Sequence, residues 1–358
     1  MLSHGKTLVL IASLSLLSSC ASERRRDIEH MSAEIARPVR LSDVADGRAR
    51  FRGIFCELTA AHGPSFPDDR PCDQALVRLA DEPDADQRPV SIGAAKIPLH
   101  FVFVTGIFGE CVSHLGSPFS DAYDHLKTLG YTAQPLVVSG RSSSEANAVL
   151  IDQRLNEVLA TLGDNVVLVG YSKGIADILV ALQKYPLAPW RARVRAIVSV
   201  AGAVNGSPLA DELGGLYRSI ASRVPWPTCP PGDRGGVDSL SRVERIAALV
   251  APTTDERIRY FSVVALPVRN GVNPLLAPFY NELSSIDPRN DGQVLAYDAI
   301  LPRSTLLAYA DADHWAIALP FNRSDHPSAK LLAGNNAYPR EILIESVARF
   351  IEEALVSR

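Results

Sequence analysis

One stretch of this 358-residue chain carries chemistry in its spacing. Val166-Val167-Leu168-Val169 is a short apolar run, and Gly170-Tyr171-Ser172-Lys173-Gly174 follows it directly. The next residues, Ile175 to Tyr185, put Ile178, Leu179 and Leu182 on one helical face. A serine on a sharp strand-to-helix turn is held in a strained backbone conformation that projects its hydroxyl clear of the sheet. Gly170 and Gly174 carry no side chain to push helix and strand apart. The Lys173 amide opens the helix, where free N–H groups and the helix dipole favour a developing negative charge. These are the parts needed for acyl transfer by a serine nucleophile. Such a serine also needs a base for its proton and a carboxylate to orient that base.

The elements that must hold these groups are legible as apolar runs without polar alternation. They lie at Leu99–Val104, Pro135–Val138, Val166–Val169, Val194–Val200, Tyr260–Leu266 and Ser304–Ala310, as expected for strands buried on both faces of a parallel sheet. Helical segments separate them. One is expected to start at Ser142, with Glu145 at capping-box spacing, and to carry Ile151, Leu155, Val158, Leu159 and Leu162 down one face. A last amphipathic helix carries Leu343, Val347, Phe350, Ile351 and Leu355. Strands alternating with helices predict an α/β fold with an open, mainly parallel central sheet flanked by helices. Residues 212–258, with Trp226 and the segment VPWPTCPPGDRGG, interrupt the rhythm and read as a lid or cap insertion.

The chain begins MLSHGKTLVLIASLSLLSSC. Thr7 to Leu17 is apolar or small throughout, too short for a comfortable bilayer span and shaped like a secretory signal. Leu17-Ser18-Ser19-Cys20 resembles a bacterial lipobox, which implies cleavage after residue 19 and lipidation of Cys20. Ala21 is not the aspartate of inner-membrane retention, so the expected address is the outer membrane, facing periplasm or surface. Residues 20–50 read as a tether and 51–96 as an N-terminal extension, with a possible strand at FRGIFCELTA and a Gly/Pro/Asp-rich loop. In an oxidising compartment Cys56, Cys72, Cys111 and Cys229 are disulfide candidates. Of the three possible pairings, Cys56 with Cys72 and Cys111 with Cys229 is the simplest. No C-x-x-C pair and no H-E-x-x-H helix appears, so no metal is expected.

From residue 97 to the C-terminus the chain resembles the α/β-hydrolases, near the bacterial lipases and esterases. Leu99–Thr105 followed by Gly106-Ile107 is similar to the family's strand and oxyanion loop, often H-G-x. Gly170 to Gly174 is similar to the nucleophile elbow. Asn205-Gly206-Ser207-Pro208-Leu209-Ala210-Asp211 resembles the H-x-G-S-x-x-A-D segment of lipases, and Asn290-Asp291-Gly292-Gln293-Val294 the N-D-G-x-V stretch with the catalytic acid. The resemblance implies the order serine, acid, histidine, which Ser172, Asp291 and His314 meet. His326 is the fallback base, and Asp287, Asp311 and Asp313 are the rival acids. It also implies an oxyanion hole from the amides of Ile107 and Lys173. Two residues depart from the pattern. Thr105 replaces the usual histidine, keeping a hydroxyl to shape the loop. Lys173 follows the serine, with its charge either at the mouth of the site or solvated.

Lys+Arg number 36 and Asp+Glu 40, a net charge of −4 that offers no basic surface to nucleic acid. The expected activity is hydrolysis of a small-molecule or lipid carboxylic ester, with no cofactor and with the membrane reached through Cys20. An amidase, a peptidase or an acyltransferase fits the same fold, and a non-catalytic envelope lipoprotein that uses the scaffold for binding is the rival of another class.

Overall fold

The computed structural model describes residues 43–159, 163–212, 230–249, 255, 257–268 and 271–356. The apolar runs become strands of one sheet, together with two short strands nearer the N-terminus. In chain order the strands are β1 (Ala45–Asp46), β2 (Leu76–Val77), β3 (His100–Val104), β4 (Thr132–Leu136), β5 (Val166–Tyr171), β6 (Val194–Val200), β7 (Arg259–Ala265) and β8 (Thr305–Ala310). Their order across the sheet is β1-β8-β7-β6-β5-β3-β4, with β2 also pairing β8. Every pairing is parallel except that of β2. All six residues of β5 are buried, which is why its sequence shows no alternation.

Helices cover both faces. On one, Ser144–Leu159 and Lys173–Lys184 bring Ile151, Leu155, Ile178 and Leu179 against Val102, Val104 and Leu168. On the other, Arg48–His62 and Arg340–Val356 bring Phe51, Phe55, Leu343, Val347 and Ile351 against Phe101, Phe103 and Val169. β5 lies between β3 and β6, so the residue that follows it stands at the carboxyl edge of the sheet's centre, where open α/β sheets bind their ligands. Among the described residues no helix is long and apolar enough to cross a membrane.

Five local expectations change. FRGIFCELTA is helical, inside Arg48–His62. Its Phe51, Ile54, Phe55 and Leu58 are all buried and recur at helical spacing, a period that outweighs the strand preference of Phe and Ile. This region is no appendage, because β1 and β2 join the sheet through β8. The same pairing puts Ala45 and Asp46, inside the segment expected to be a tether, in the sheet. β4 begins three residues before the expected run; as an edge strand paired only to β3 it accommodates Pro135. The helix expected from Ser142 starts at Ser144, and its cap is Ser143, whose Oγ accepts from the Ala146 amide at 3.2 Å. The Ser142 hydroxyl turns instead to Ser139 Oγ at 2.9 Å.

Cys56 and Cys72 are joined as a disulfide, which ties the Arg48–His62 helix to the short Cys72–Ala75 helix. Cys111 is also disulfide-bonded. Its expected partner, Cys229, lies outside the described residues, as do residues 1–19, expected to be a signal, and Cys20. Of the 212–258 insertion, the described part holds a turn at Asp238–Leu240 and a helix at Arg242–Ala248.

Candidate active site

Ser172 caps the Lys173–Lys184 helix with φ 55° and ψ −125°, a region that L-residues with side chains rarely occupy. Two close approaches enforce this turn. A Cβ on Gly170 would lie 2.6 Å from the Ile175 nitrogen, and one on Gly174 would lie 2.3 Å from the Val104 carbonyl oxygen. Helix, β5 and β3 therefore meet at a separation that only glycine permits.

The Ser172 hydroxyl lies 2.9 Å from His314 Nε2, and His314 Nδ1 lies 2.7 Å from Asp291 Oδ2. All three side chains are buried. Asp291 is itself held: its Oδ1 accepts from the amides of Gln293 and Val294 at 2.8 and 2.7 Å, and its carbonyl accepts from the His314 amide at 3.0 Å. That network fixes Nδ1–H toward Asp291 and leaves Nε2 free to accept from the serine. The structure thus brings together the serine, acid and histidine singled out from the sequence.

The rival residues are engaged elsewhere. Asp287 forms an ion pair with Arg289 at 2.7 Å, and Asp311 accepts from the Val268 amide at 2.7 Å. His326 caps the Pro327–Leu332 helix, its Nδ1 accepting from the Ser328 amide. Asp313 accepts from the amides of Trp315, Ala316 and Asn273, so it shapes the loop that carries His314. Burial lifts its carboxyl to about 6, against the pull of those amides and with added repulsion from Asp291. Tyr171 is a support that the sequence did not reveal, since the motif leaves that position open. Its hydroxyl donates to the His314 carbonyl at 2.8 Å, and burial pushes the phenol well above its usual range, so it stays a donor.

Gly106 lies against Ser172, because a Cβ there would stand 2.8 Å from Ser172 Cβ. The amide of the next residue, Ile107, makes no backbone hydrogen bond among the described residues. Glu110 holds this loop by accepting from the Gly140 amide at 2.6 Å. Thr105 acts by packing rather than by hydrogen bonding. Its Oγ1 is buried with no partner among the described residues, and its Cβ blocks the space beside Gly109.

The Lys173 side chain is neither at the mouth nor in solvent. It is fully buried and pairs with Asp177 one helical turn on, at 2.6 Å. Asp177 also accepts from Ser144 Oγ at 2.5 Å and Asn147 Nδ2 at 2.7 Å, which binds the serine's helix to its neighbour. Removing one charge strands the other in a dry site, so Asp177→Ala should cost about 3–5 kcal/mol in urea unfolding. The double variant Lys173→Met/Asp177→Leu should recover most of that loss. A single-variant loss below about 1 kcal/mol would show that the pair holds nothing.

The solved structure of a metagenomic carboxyl esterase, MGS0156, matches with a TM-score of 0.82 and 40% identity, over 90% of this chain and 97% of that one. The chain belongs to the α/β-hydrolases, among the carboxyl esterases and lipases. A Bacillus licheniformis lipase, BlEst2 in its propeptide form, shares the fold at a TM-score of 0.50 and 21% identity, over 62% of this chain and 48% of that one. No protein-family model and no curated protein matches the chain.

In this α/β-hydrolase, Ser172 opens into a cleft of about 520 Å³, its open mouth included. Ile107, Leu209, Val237, Leu240, Phe279 and Val294 give it an apolar lining. Val237 and Leu240 come from the segment read as an insertion from the sequence. Its described part is tied down where Arg242 pairs with Asp298 at 3.1 Å and Ser241 Oγ donates to Asp211 at 2.6 Å. Burial raises the Asp298 carboxyl to about 7 despite the arginine. The lipase-like segment contributes Ser207, whose hydroxyl donates to the Gln293 carbonyl at 2.5 Å and so braces the loop of Asp291.

Proposed function

We propose that this ester hydrolase works through Ser172, His314 and Asp291 as a triad, with an acyl-enzyme intermediate. The observation that carries the reading is the continuous chain Ser172 Oγ–His314 Nε2 and His314 Nδ1–Asp291 Oδ2, opening on an apolar cleft. Ser172 Oγ attacks the ester carbonyl while Nε2 takes its proton. The imidazolium so formed is stabilised by Asp291. The amides of Ile107 and Lys173 receive the oxyanion, the second of them at a helix N-terminus. Collapse of the tetrahedral adduct breaks the C–O bond to the alcohol, which leaves with the Nε2 proton. Water, deprotonated by the same nitrogen, then attacks the acyl-serine and releases the acid.

The lining supports an acyl chain as the recognised part, and the insertion acts as its lid through Val237 and Leu240. A buried methylene contributes about 0.8 kcal/mol. For p-nitrophenyl esters, kcat/KM should therefore rise about fourfold per added methylene from acetate to butyrate, then level off as the cleft fills. A flat series, or faster turnover of matched anilides, would favour the amidase reading. The lipobox-like Leu17–Cys20 supports anchorage to an envelope membrane, within reach of lipid esters. Palmitate labelling of the exported protein that survives Cys20→Ala would remove this part.

A further inference from the structure

A second cluster of chemistry-bearing side chains lies apart from the cleft. His62 is the last residue of the Arg48–His62 helix, His125 belongs to the Tyr123–Thr128 helix, and Glu345 to the Arg340–Val356 helix. His62 Nδ1 lies 2.8 Å and His125 Nε2 2.6 Å from the same carboxylate oxygen, Glu345 Oε2. The ligating atoms of all three lie within 4.8 Å of one another. None of these residues lines the cleft at Ser172.

We propose that His62, His125 and Glu345 form a binding site for a divalent transition-metal ion of the zinc class. Two imidazoles and one carboxylate are a donor set suited to zinc, with water in the fourth position. Metal–ligand distances of about 2.0–2.1 Å in a tetrahedron put donors about 3.3 Å apart. Each histidine nitrogen must therefore draw back from Oε2 by roughly half an ångström, within the give of a side chain. The protons now directed at Oε2 move to the other ring nitrogens, or leave if the rings are charged.

Charge and shape both favour a cation here. Glu345 is fully buried, and its other oxygen, Oε1, faces Arg349 at 3.3 Å. Arg349 is shared with Glu352 at 3.3 Å, so two carboxylates face one guanidinium and a negative charge remains. Phe66 stands edge-on to His125 at 4.8 Å and fixes that ring. The two histidines are only partly buried and border an open cleft, which gives an ion a path in; Asp124 lies exposed there, while Asp121 is already paired with Arg340 and Arg323. The ligands are 283 and 220 residues from Glu345 in the chain, so no sequence motif announces them. A bound ion would clip the N-terminal helix to the C-terminal one.

The test uses the folded full chain, stripped with a chelator, titrated with zinc chloride and passed through a desalting column. Wild type should retain one zinc per chain and gain at least about 3 °C in Tm. With cobalt it should show the visible bands of a tetrahedral site. His125→Ala and His62→Gln should lose the retained zinc, the cobalt bands and the zinc-dependent part of Tm. The second variant alters the more exposed ring, which guards against a variant that simply fails to fold. His114→Ala removes half of the only other close histidine pair among the described residues and should keep all three signals. Wild type that retains no zinc, or variants that retain it as well as wild type does, would overturn the proposal. So would a Tm unmoved by zinc, which leaves a hydrogen-bonded His–Glu–His network.

Discussion

Ser172→Ala should lower kcat for ester hydrolysis by at least about 10⁴-fold while leaving KM close to that of wild type. The apolar lining of the cleft, proposed to hold the acyl chain, comes from other residues, among them Leu209, Leu240 and Phe279, so substrate should still dock. What disappears is the one oxygen that His314 Nε2 can activate, at 2.9 Å. Labelling by a fluorophosphonate, which reports the same oxygen, should vanish with it. Alanine inherits the strained φ of 55°, so stability should change little. Ser172→Gly should be as inactive yet more stable by about 1 kcal/mol, because glycine adopts that conformation freely. A strained nucleophile is thus separable from a merely structural turn. Folded wild type that neither labels nor turns over an ester would transfer the protein to the non-catalytic binding reading.

Asp291→Asn should cost about 10³–10⁴-fold in kcat at neutral pH with the fold intact. The amide has no good orientation. With its nitrogen toward His314, Nδ1 must become the acceptor and Nε2 then carries the proton, so it cannot take one from Ser172. With its nitrogen turned the other way, it meets the donating amides of Gln293 and Val294. Either arrangement also leaves the imidazolium without its counter-charge. Asp287→Asn, which touches the Arg289 ion pair instead, should change kcat less than about tenfold. The comparison of kcat for the two variants decides the acid, and Asp291→Asn retaining a tenth of wild-type activity would remove it from the triad.

Much of this was readable along the chain. The strand runs were visible because a sheet covered on both faces needs unbroken apolar stretches, and β6 begins and ends where its run does. Ser172 was visible because the elbow is local: strand, turn and helix are consecutive, and the glycines answer to clashes within a few residues. Phe51, Ile54 and Phe55 each favour strands, so FRGIFCELTA reads as a strand residue by residue; packing on the C-terminal helix is what makes their helical spacing decisive. A lysine beside a candidate nucleophile suggests exposure, and the fold overturns that expectation. Only the position of Asp177, with Ser144 and Asn147 behind it, explains why the charge is buried.

The sequence alone determined the order of elements, the turn that carries Ser172 and the short list of candidate bases and acids, since each depends on residues near one another in the chain. Only the tertiary structure decided which carboxylate faces His314. Asp287, Asp291, Asp311 and Asp313 are equivalent in type and close in sequence, and they differ only in what the folded loops set against them. The meeting of His62, His125 and Glu345 is likewise a product of three helices packing together. Spacing along a chain cannot encode a contact that the fold creates across 283 residues.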